Sequence, residues 1–233
     1  MTEIALVADL HGNLPAVEAL ERDLTARRIH RVWCLGDMVG KGPSSAETLD
    51  WAAARCEVML QGNWDEGISR KLFANDAFYY AQLGERRMAM LRELPLEHIC
   101  LCSGRRLRLL HGRPIMPAAL GVQSDAAVFA PFFAPDFDVV GYADAHRQGL
   151  RVLNEGILFN TGSVGNGLGV PMVQYAILRG EMDSDRPAPL DIAMVTLPYD
   201  RVRTIADTDD AERRGLRNAE PFRNEIRTGR YSR

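Results

Sequence analysis

Ile4-Ala5-Leu6-Val7-Ala8-Asp9-Leu10-His11-Gly12-Asn13 is a short apolar run that breaks into a polar, glycine-containing turn. Five apolar residues without alternation read as a strand buried on both faces. Downstream, Leu14, Val17, Leu20 and Leu24 recur at helical spacing, and Arg27-Arg28 suits a helix C-terminus, so Leu14–Arg28 reads as a helix. Arg31–Leu35 is a second strand. Ser44-Ser45 open a helix running to about Arg55, with Glu47 placed for a capping box, and Glu57–Gln61 is a third strand. The order βαβαβ implies a parallel sheet with right-handed crossovers.

The rest of the chain has a different texture. Residues 65–93 read as helical, with an aromatic cluster at Phe73, Phe78, Tyr79 and Tyr80, of which Phe78–Tyr80 suit a core better than a base-stacking surface, and Pro95 ends the block. Ile99–Cys102 and Leu107–Leu110 read as strands joined by the hairpin-type turn Ser103-Gly104. A loop and a helix carrying Phe129, Phe132 and Phe133 follow. Phe137–Val140, Leu150–Leu153, Ile157–Asn160, Val173–Leu178 and Leu190–Leu197 are further strands, and the tail from about Tyr199 is charged in both signs and partly helical. Strands outnumber helices after residue 95, so two sheets flanked by helices fit better than one doubly wound sheet.

The 233 residues suffice for one sizeable core, and 46% apolar with 25% charged residues is the balance of a globular protein. A net charge of -3 argues against a stable nucleic-acid complex but leaves room for a nucleotide substrate held by metals. Lys41 and Lys71 are the only lysines, which reflects composition before chemistry. Cys34, Cys56, Cys100 and Cys102 form no Cys-x-x-Cys pair, and Cys34, Cys100 and Cys102, in apolar strand-like runs, read as buried free thiols. The chain enters strand and motif within nine residues, without a signal peptide, and no apolar run approaches the ~20 residues of a membrane span, so a cytoplasmic protein with no membrane association is expected.

Six polar turns punctuate this pattern: Asp9-Leu10-His11-Gly12-Asn13, Gly36-Asp37-Met38-Val39-Gly40, Gly62-Asn63-Trp64-Asp65, His111-Gly112-Arg113-Pro114, Asp144-Ala145-His146 and Asn160-Thr161-Gly162-Ser163-Val164-Gly165. The first four each follow a strand-like run. Asp, His and Asn side chains delivered to strand ends, where layered α/β folds open their clefts, can converge on metal ions.

In this order and spacing the motifs resemble those of the calcineurin-like metallophosphoesterase superfamily, and His111-Gly112-x-Pro114 is similar to its small bacterial and archaeal phosphodiesterase-type members. The resemblance spans roughly residues 1–165 by motif. It implies a four-layer α/β/β/α sandwich of two mixed sheets flanked by helices. The whole chain, 1–233, would be a single domain with a helical insertion at about 65–93 and a charged C-terminal tail at about 199–233. It also implies two divalent ions, manganese first, with iron, zinc, nickel or cobalt as alternatives. Asp9, His11 and His146 would bind the first ion, Asp37 would bridge, and Asn63 and His111 would bind the second. Two such ions ~3.5–4 Å apart can activate a hydroxide for in-line attack on a phosphodiester or an activated phosphomonoester. Asp37, Asn63 and His111 are then the catalytic residues, and mixed imidazole and carboxylate ligation suits the metals named.

Two departures narrow the reading. The family usually carries Gly-His-x-His at the fifth motif, and keeping its spacing places Asp144 where the second metal expects a histidine. Three carboxylates against two dications leave one positive charge, where a histidine would leave two, which should weaken attraction to a highly charged phosphate and favour harder ions. Many members also have a histidine at the position of Trp64, placed to protonate the leaving group. Without it, ~10²–10⁴-fold of acid assistance is absent and good leaving groups should be favoured.

Around this set, Asn13 is either a substrate contact or a helix N-cap, and Asp65 a cap or supporting partner. Arg113 and Arg147 stand beside proposed ligands and can clamp a phosphate oxygen, Asn63 would also touch substrate, and Gly162 and Gly165 supply tight-turn geometry. His30 and His98 match no motif. A phosphoprotein phosphatase or dinucleoside polyphosphate hydrolase is the alternative within enzymes. From another class comes a catalytically weak scaffold, as in the retromer-coat subunit that resembles this fold. The substrate partner is a small phosphoester or nucleotide, and the oligomeric state is not legible.

Overall fold

The computed structural model describes residues 1–73 and 76–232 of the chain. Two five-stranded sheets form its centre. The first has the order β10-β9-β1-β2-β3, built from β1 (Thr2–Val7), β2 (Arg31–Cys34), β3 (Val58–Met59), β9 (Val173–Gly180) and β10 (Asp191–Leu197). The second has the order β4-β5-β6-β8-β7, built from β4 (Glu97–Cys102), β5 (Arg105–Leu110), β6 (Val139–Tyr142), β7 (Gly149–Val152) and β8 (Ile157–Asn160).

Both sheets are mixed. β1, β2 and β3 run parallel, while β9 is antiparallel to β1 and to β10. In the second sheet β5, β6 and β8 run parallel, with β4 and β7 antiparallel on the edges. This is the expected α/β/β/α architecture of two mixed sheets.

The continuous apolar run of β1 has its explanation in the layers. Successive side chains of a strand point to opposite faces. Ile4 and Leu6 pack between the sheets with Leu107, Leu109, Val139 and Phe159. Ala5 and Val7 pack outward against Leu20 and Leu24 of α1 (Leu14–Arg27) and Leu49 of α2 (Ser45–Arg55). The outer face of the second sheet is covered by Phe129, Phe132 and Phe133, in and beside the short α5 (Ala130–Phe133).

The expected helical stretch at 65–93 begins earlier and is broken. It comprises α3 (Asn63–Ser69) and α4 (Ala77–Arg92), the latter kinked at Gly84, and its residues 74 and 75 lie outside the described residues. The expected tail at 199–233 is more ordered than its charge suggested: α6 (Arg201–Arg213) and α7 (Ala219–Thr228) pack on each other. Its final residue, 233, lies outside the described set. Arg223, on α7, reaches Asp209 at 3.0 Å and Glu212 at 2.7 Å on α6.

One local expectation is corrected and another holds. Ser44 makes no side-chain cap bond, so no capping box forms with Glu47. Instead the Ser45 hydroxyl accepts from the Gly40 amide at 3.0 Å, tying the start of α2 to the second motif. Ser103-Gly104 turns with positive φ at both residues (53° and 75°), the geometry of a two-residue hairpin.

Candidate metal centre

The parallel order of β1, β2 and β3 brings the first three motifs to one end of the first sheet, and β5, β6 and β8 bring the others to the facing end of the second. At this edge the backbone is bent far from strand geometry. Asp9, His11, Asp37, Asp144 and His146 all have positive φ, between 45° and 64°. Left-handed backbone at non-glycine residues is strained and gathers at functional sites. Here it turns each side chain off its strand and into the cleft.

The cluster is tight and buried. Asp9 Oδ1 lies 3.2 Å from His146 Nε2 and 3.6 Å from His11 Nε2, and Asp37 Oδ2 lies 3.2 Å from His111 Nε2 and 3.6 Å from His11 Nε2. Two groups of ligand atoms, one from Asp9, His11 and His146 and the other from Asp9, Asp37 and His111, each fall within 4.8 Å of one another.

Each histidine is anchored at its far nitrogen. Nδ1 of His11 meets the Val39 carbonyl at 3.2 Å, that of His111 the Leu35 carbonyl at 2.8 Å, and that of His146 the Asn166 carbonyl at 3.0 Å. A carbonyl only accepts, so Nδ1 carries a proton and Nε2 is the nitrogen left to face a metal, the arrangement of metal-ligating histidines. His11 Nε2 and His146 Nε2 then face each other at 3.1 Å. Both oxygens of Asp9, Asn63 Oδ1 and His111 Nε2 are shielded from solvent without a hydrogen-bond partner among the described residues. Unpaired buried polar atoms are costly, and the oxygens among these are acceptors that something positive would satisfy. The donor set, imidazole nitrogen with carboxylate and amide oxygen, fits divalent transition metals.

Electrostatics separates the histidines. Burial, reinforced by His146 and Lys41, pushes His11 well below its ordinary pKa. Burial also works against the charged form of His111, but Asp37, Asp9 and Asp144 outweigh it and raise this imidazole to about 10 in the protein without metal.

The supporting residues explain how the loops hold. Asp65 is fully buried and accepts from the backbone amides of Asp37 at 2.7 Å, Met38 at 3.0 Å and Gly62 at 3.0 Å. It clasps the second motif to the third, the supporting role its position suggested. The Trp64 amide donates to Asp37 Oδ1 at 2.8 Å, which leaves Oδ2 to face His11 and His111. The sixth motif buttresses the first: the Ser163 hydroxyl and the Gly165 amide both donate to the Asp9 carbonyl at 2.9 Å. Gly162 has the positive φ expected of a turn glycine, 75°. Gly165 is required for space instead, since a Cβ there would lie 1.9 Å from the Leu10 carbonyl oxygen.

Asn13 is corrected to its other reading. It is fully buried, and its Oδ1 accepts from the Ala16 amide at 3.3 Å and the Thr204 hydroxyl at 2.9 Å, while its Nδ2 donates to the Gly165 carbonyl at 2.6 Å. It caps α1 and has no free donor for a substrate phosphate.

Arg113 and Asp144 are paired with each other. Arg113 Nε lies 2.8 Å from Asp144 Oδ2 and its Nη2 lies 2.6 Å from Oδ1, while His111 Nε2 stays 4.0 Å away. Asp144 is thus beside the two ligand groups but outside them. Burial would raise its carboxyl, but Arg113 and His111 outweigh that and hold it below the usual carboxylate range. The charge expected to be missing at this carboxylate is restored by the guanidinium, so a preference for singly charged diesters does not follow from charge alone.

The centre opens into a cleft of about 560 Å³, walled by Asn63, Trp64, Phe73 and Arg113, with Arg147 exposed on its rim. Several wall residues escaped the sequence reading of the site, Lys41, Phe73 and Tyr231 among them. Lys41 directly follows the second motif, the one signal that could have marked it. Tyr231 comes from the tail, and Phe73 belongs to the aromatic cluster of the helical block. Lys41 Nζ lies 3.3 Å from Glu225 Oε2 of α7, and Asn166 donates to the same oxygen at 2.6 Å, which draws the tail against the cleft. The cysteines are free and none belongs to the cluster, and His98 packs edge-on against Trp33 at 4.8 Å, away from it.

The profile of the calcineurin-like phosphoesterase superfamily domain matches residues 2–183. The chain belongs to that superfamily. It is 26% identical over 184 residues to an uncharacterized protein of Methanocaldococcus jannaschii, covering 70% of this chain and 76% of that one. Its fold is that of a metallophosphoesterase from Sphaerobacter thermophilus (TM-score 0.76, 23% identity, 98% of this chain and 100% of the other). A hypothetical protein from Pyrococcus horikoshii is equally similar in fold (TM-score 0.78, 18% identity, all of both chains). Membership makes this a phosphoesterase-family domain with candidate metal ligands at its strand ends, and no helix of the described residues is long and apolar enough to cross a membrane.

Proposed function

We propose that this chain is a dinuclear, divalent-metal-dependent phosphoesterase that hydrolyses phosphodiesters or activated phosphomonoesters. The observation that carries the reading is the convergence of three Nδ1-anchored histidines on Asp9 and Asp37 with their Nε2 atoms turned inward. Asp9, His11 and His146 would hold one ion, and His111 and Asn63 the other, with Asp37 shared through the oxygen that the Trp64 amide leaves free. When bound, the ions supply Lewis acidity toward the phosphoryl oxygens and lower the pKa of water to near neutrality.

The chain's own residues set the rest. Asn63 Oδ1, without a partner, and Arg113, fixed by Asp144, flank the place where a phosphoryl group would sit. Arg147 on the rim would meet the substrate's outer oxygens. The donors, nitrogen and oxygen without thiolate, admit manganese, iron, zinc, nickel or cobalt, and manganese is the ion used in the test. Orphaned acceptors argue against a purely scaffolding role, since a domain used only through its surface has no need of them.

Turnover of bis(p-nitrophenyl) phosphate by the manganese-loaded protein, with loss on chelation and recovery on reloading, tests the proposal. Metal-independent turnover, or none with any of the metals named, would overturn it.

A further inference from the structure

A second hollow of about 320 Å³ adjoins the metal cleft and shares three walls with it: Lys41, Trp64 and Tyr231. Its size falls within the range of small-molecule sites, roughly 300–1,000 Å³. Phe222 of α7 and Tyr79 of α4, both buried, add to its lining. Trp64 stands between the two spaces: one edge meets His11 at 5.9 Å, beside the metal ligands, and its indole also lines the second hollow.

Polar side chains share the lining with these rings, and among them Asp76 stands out for an unpaired oxygen. Asp76 is the N-cap residue of α4, yet its side chain makes no capping bond. Its Oδ2 is shielded from solvent with no hydrogen-bond partner among the described residues. A buried acceptor in that state calls for an N–H donor. Arg217 and Asn218, both exposed, stand at the rim, and Lys41 lies at the junction, where it pairs with Glu225.

We propose that this hollow is the subsite for the nucleoside arm of a nucleotidyl phosphodiester. The inference rests on the phosphoesterase reading and deepens it. With phosphorus at the metal centre, the retained ester arm passes Lys41. A flat base then lies against Trp64 and Tyr231, and its N–H edge meets Asp76. Aromatic faces accept any base, whereas the unpaired carboxylate of Asp76 selects for donors, Glu225 being already bonded to Lys41 and Asn166. A long acyl chain has no continuous apolar trough here, because charged and amide side chains share the lining.

The test compares two diesters with one leaving group, guanosine 5′-(p-nitrophenyl phosphate) and methyl p-nitrophenyl phosphate, on the manganese-loaded protein. In both, water adds to phosphorus, the P–O bond to p-nitrophenolate breaks and the other ester arm is retained. The nucleotidyl ester should be favoured in kcat/KM by about 100-fold, mainly through KM. Tyr231→Ala and Asp76→Ala should each shrink that ratio by about tenfold, the lower part of the range for one stacked base. Tyr231 is 58% exposed, so its truncation opens no internal cavity. A ratio near one in the parent, or a ratio unmoved in both variants, overturns the subsite. If neither ester is hydrolysed, the phosphoesterase reading fails, and titration of guanosine monophosphate against inorganic phosphate decides the hollow separately. Tighter nucleotide binding that Asp76→Ala weakens supports the subsite, and equal affinities overturn it. A tyrosine-phosphorylated peptide that competes better than the nucleotide would also overturn it, by assigning the hollow to protein substrates.

Discussion

Arg113 grips both carboxylate oxygens of Asp144, at 2.8 Å from Oδ2 and 2.6 Å from Oδ1. Asp144 therefore has two claimants, the guanidinium and any ion held by His111, and it cannot serve both fully. Removing Arg113 should free the carboxylate for metal. We expect Arg113→Ala to tighten the weaker of two manganese sites by about tenfold, the equivalent of one charge-assisted pair. Substrate affinity should fall at the same time, because the phosphate loses a cation. Calorimetric titration of metal and a KM measurement read the two effects separately. Weaker metal binding in the variant would show that Asp144 is no latent ligand.

Asp37 faces His11 at 3.6 Å and His111 at 3.2 Å through one oxygen, so neutralising it strikes both halves of the centre. Asp37→Asn should abolish nearly all hydrolysis and lower the bound manganese measured by elemental analysis below two ions per chain, the count set by two ligand groups. His30→Ala, outside the cluster, should leave turnover within about two-fold. Equal damage from both substitutions, in folded proteins, would put the centre elsewhere.

Trp64 stands in the cleft wall with its ring 5.2 Å from that of Phe73 and carries no proton to give a leaving group. Rates should therefore fall steeply as the leaving-group pKa rises across a series of aryl and alkyl esters. Trp64→His should flatten that slope, raising turnover of poor leaving groups by at least about tenfold while p-nitrophenyl esters change little. A slope that is the same in both proteins would mean that proton donation does not limit the reaction.

The layers and ligand types were legible because they rest on local pattern. The unbroken run at Ile4–Ala8 demanded cover on both faces, and it has cover on both. What escaped depends on long-range contacts. Nothing around Asn13 reveals that Thr204, 191 residues away, would occupy its side-chain oxygen. Nor does the sequence near Asp144 favour Arg113 as its partner over a metal. Glu225 and Tyr231 sit in a tail whose charge suggested solvent, yet Lys41, 184 residues away, draws that tail to the cleft. The strained backbone at Asp9 and His11 is equally silent, because Asp and His adopt positive φ more often than most residues yet still only in a small minority of positions.

Asp65 holds two motifs together through backbone amides rather than through metal. Asp65→Ala would strand the amides of Asp37, Met38 and Gly62 in the interior. Orphaned buried donors cost ~1–3 kcal/mol each before relaxation, so a loss of about 3 kcal/mol is expected. Thermal unfolding of the metal-free variant should register it. Because the loop carrying Asp37 would loosen, metal affinity should fall as well. A variant of parental stability would show that water replaces the carboxylate without strain.

Metal uptake should release a proton, and the donor can be named. His11 is already neutral, because burial holds its pKa far down. His111 is the opposite case: burial favours the neutral ring, but the surrounding carboxylates of Asp37, Asp9 and Asp144 keep it protonated up to about pH 10. Nε2 must be bare to bind metal, so loading near pH 7.5 should release about one proton per chain. Calorimetry in buffers of different ionisation enthalpy counts it. Affinity should rise by about tenfold per pH unit below the folded value of about 10 and level off above it. For the metal-free protein, a raised folded pKa contributes stability that is complete below about pH 6.5 and fades as pH climbs through about 10. Its melting temperature should therefore drop across that window, while the loaded protein, with no proton on Nε2, should not share the drop. Metal binding without proton release would mean that His111 is neutral beforehand and that Asp37 and Asp9 do not hold its proton.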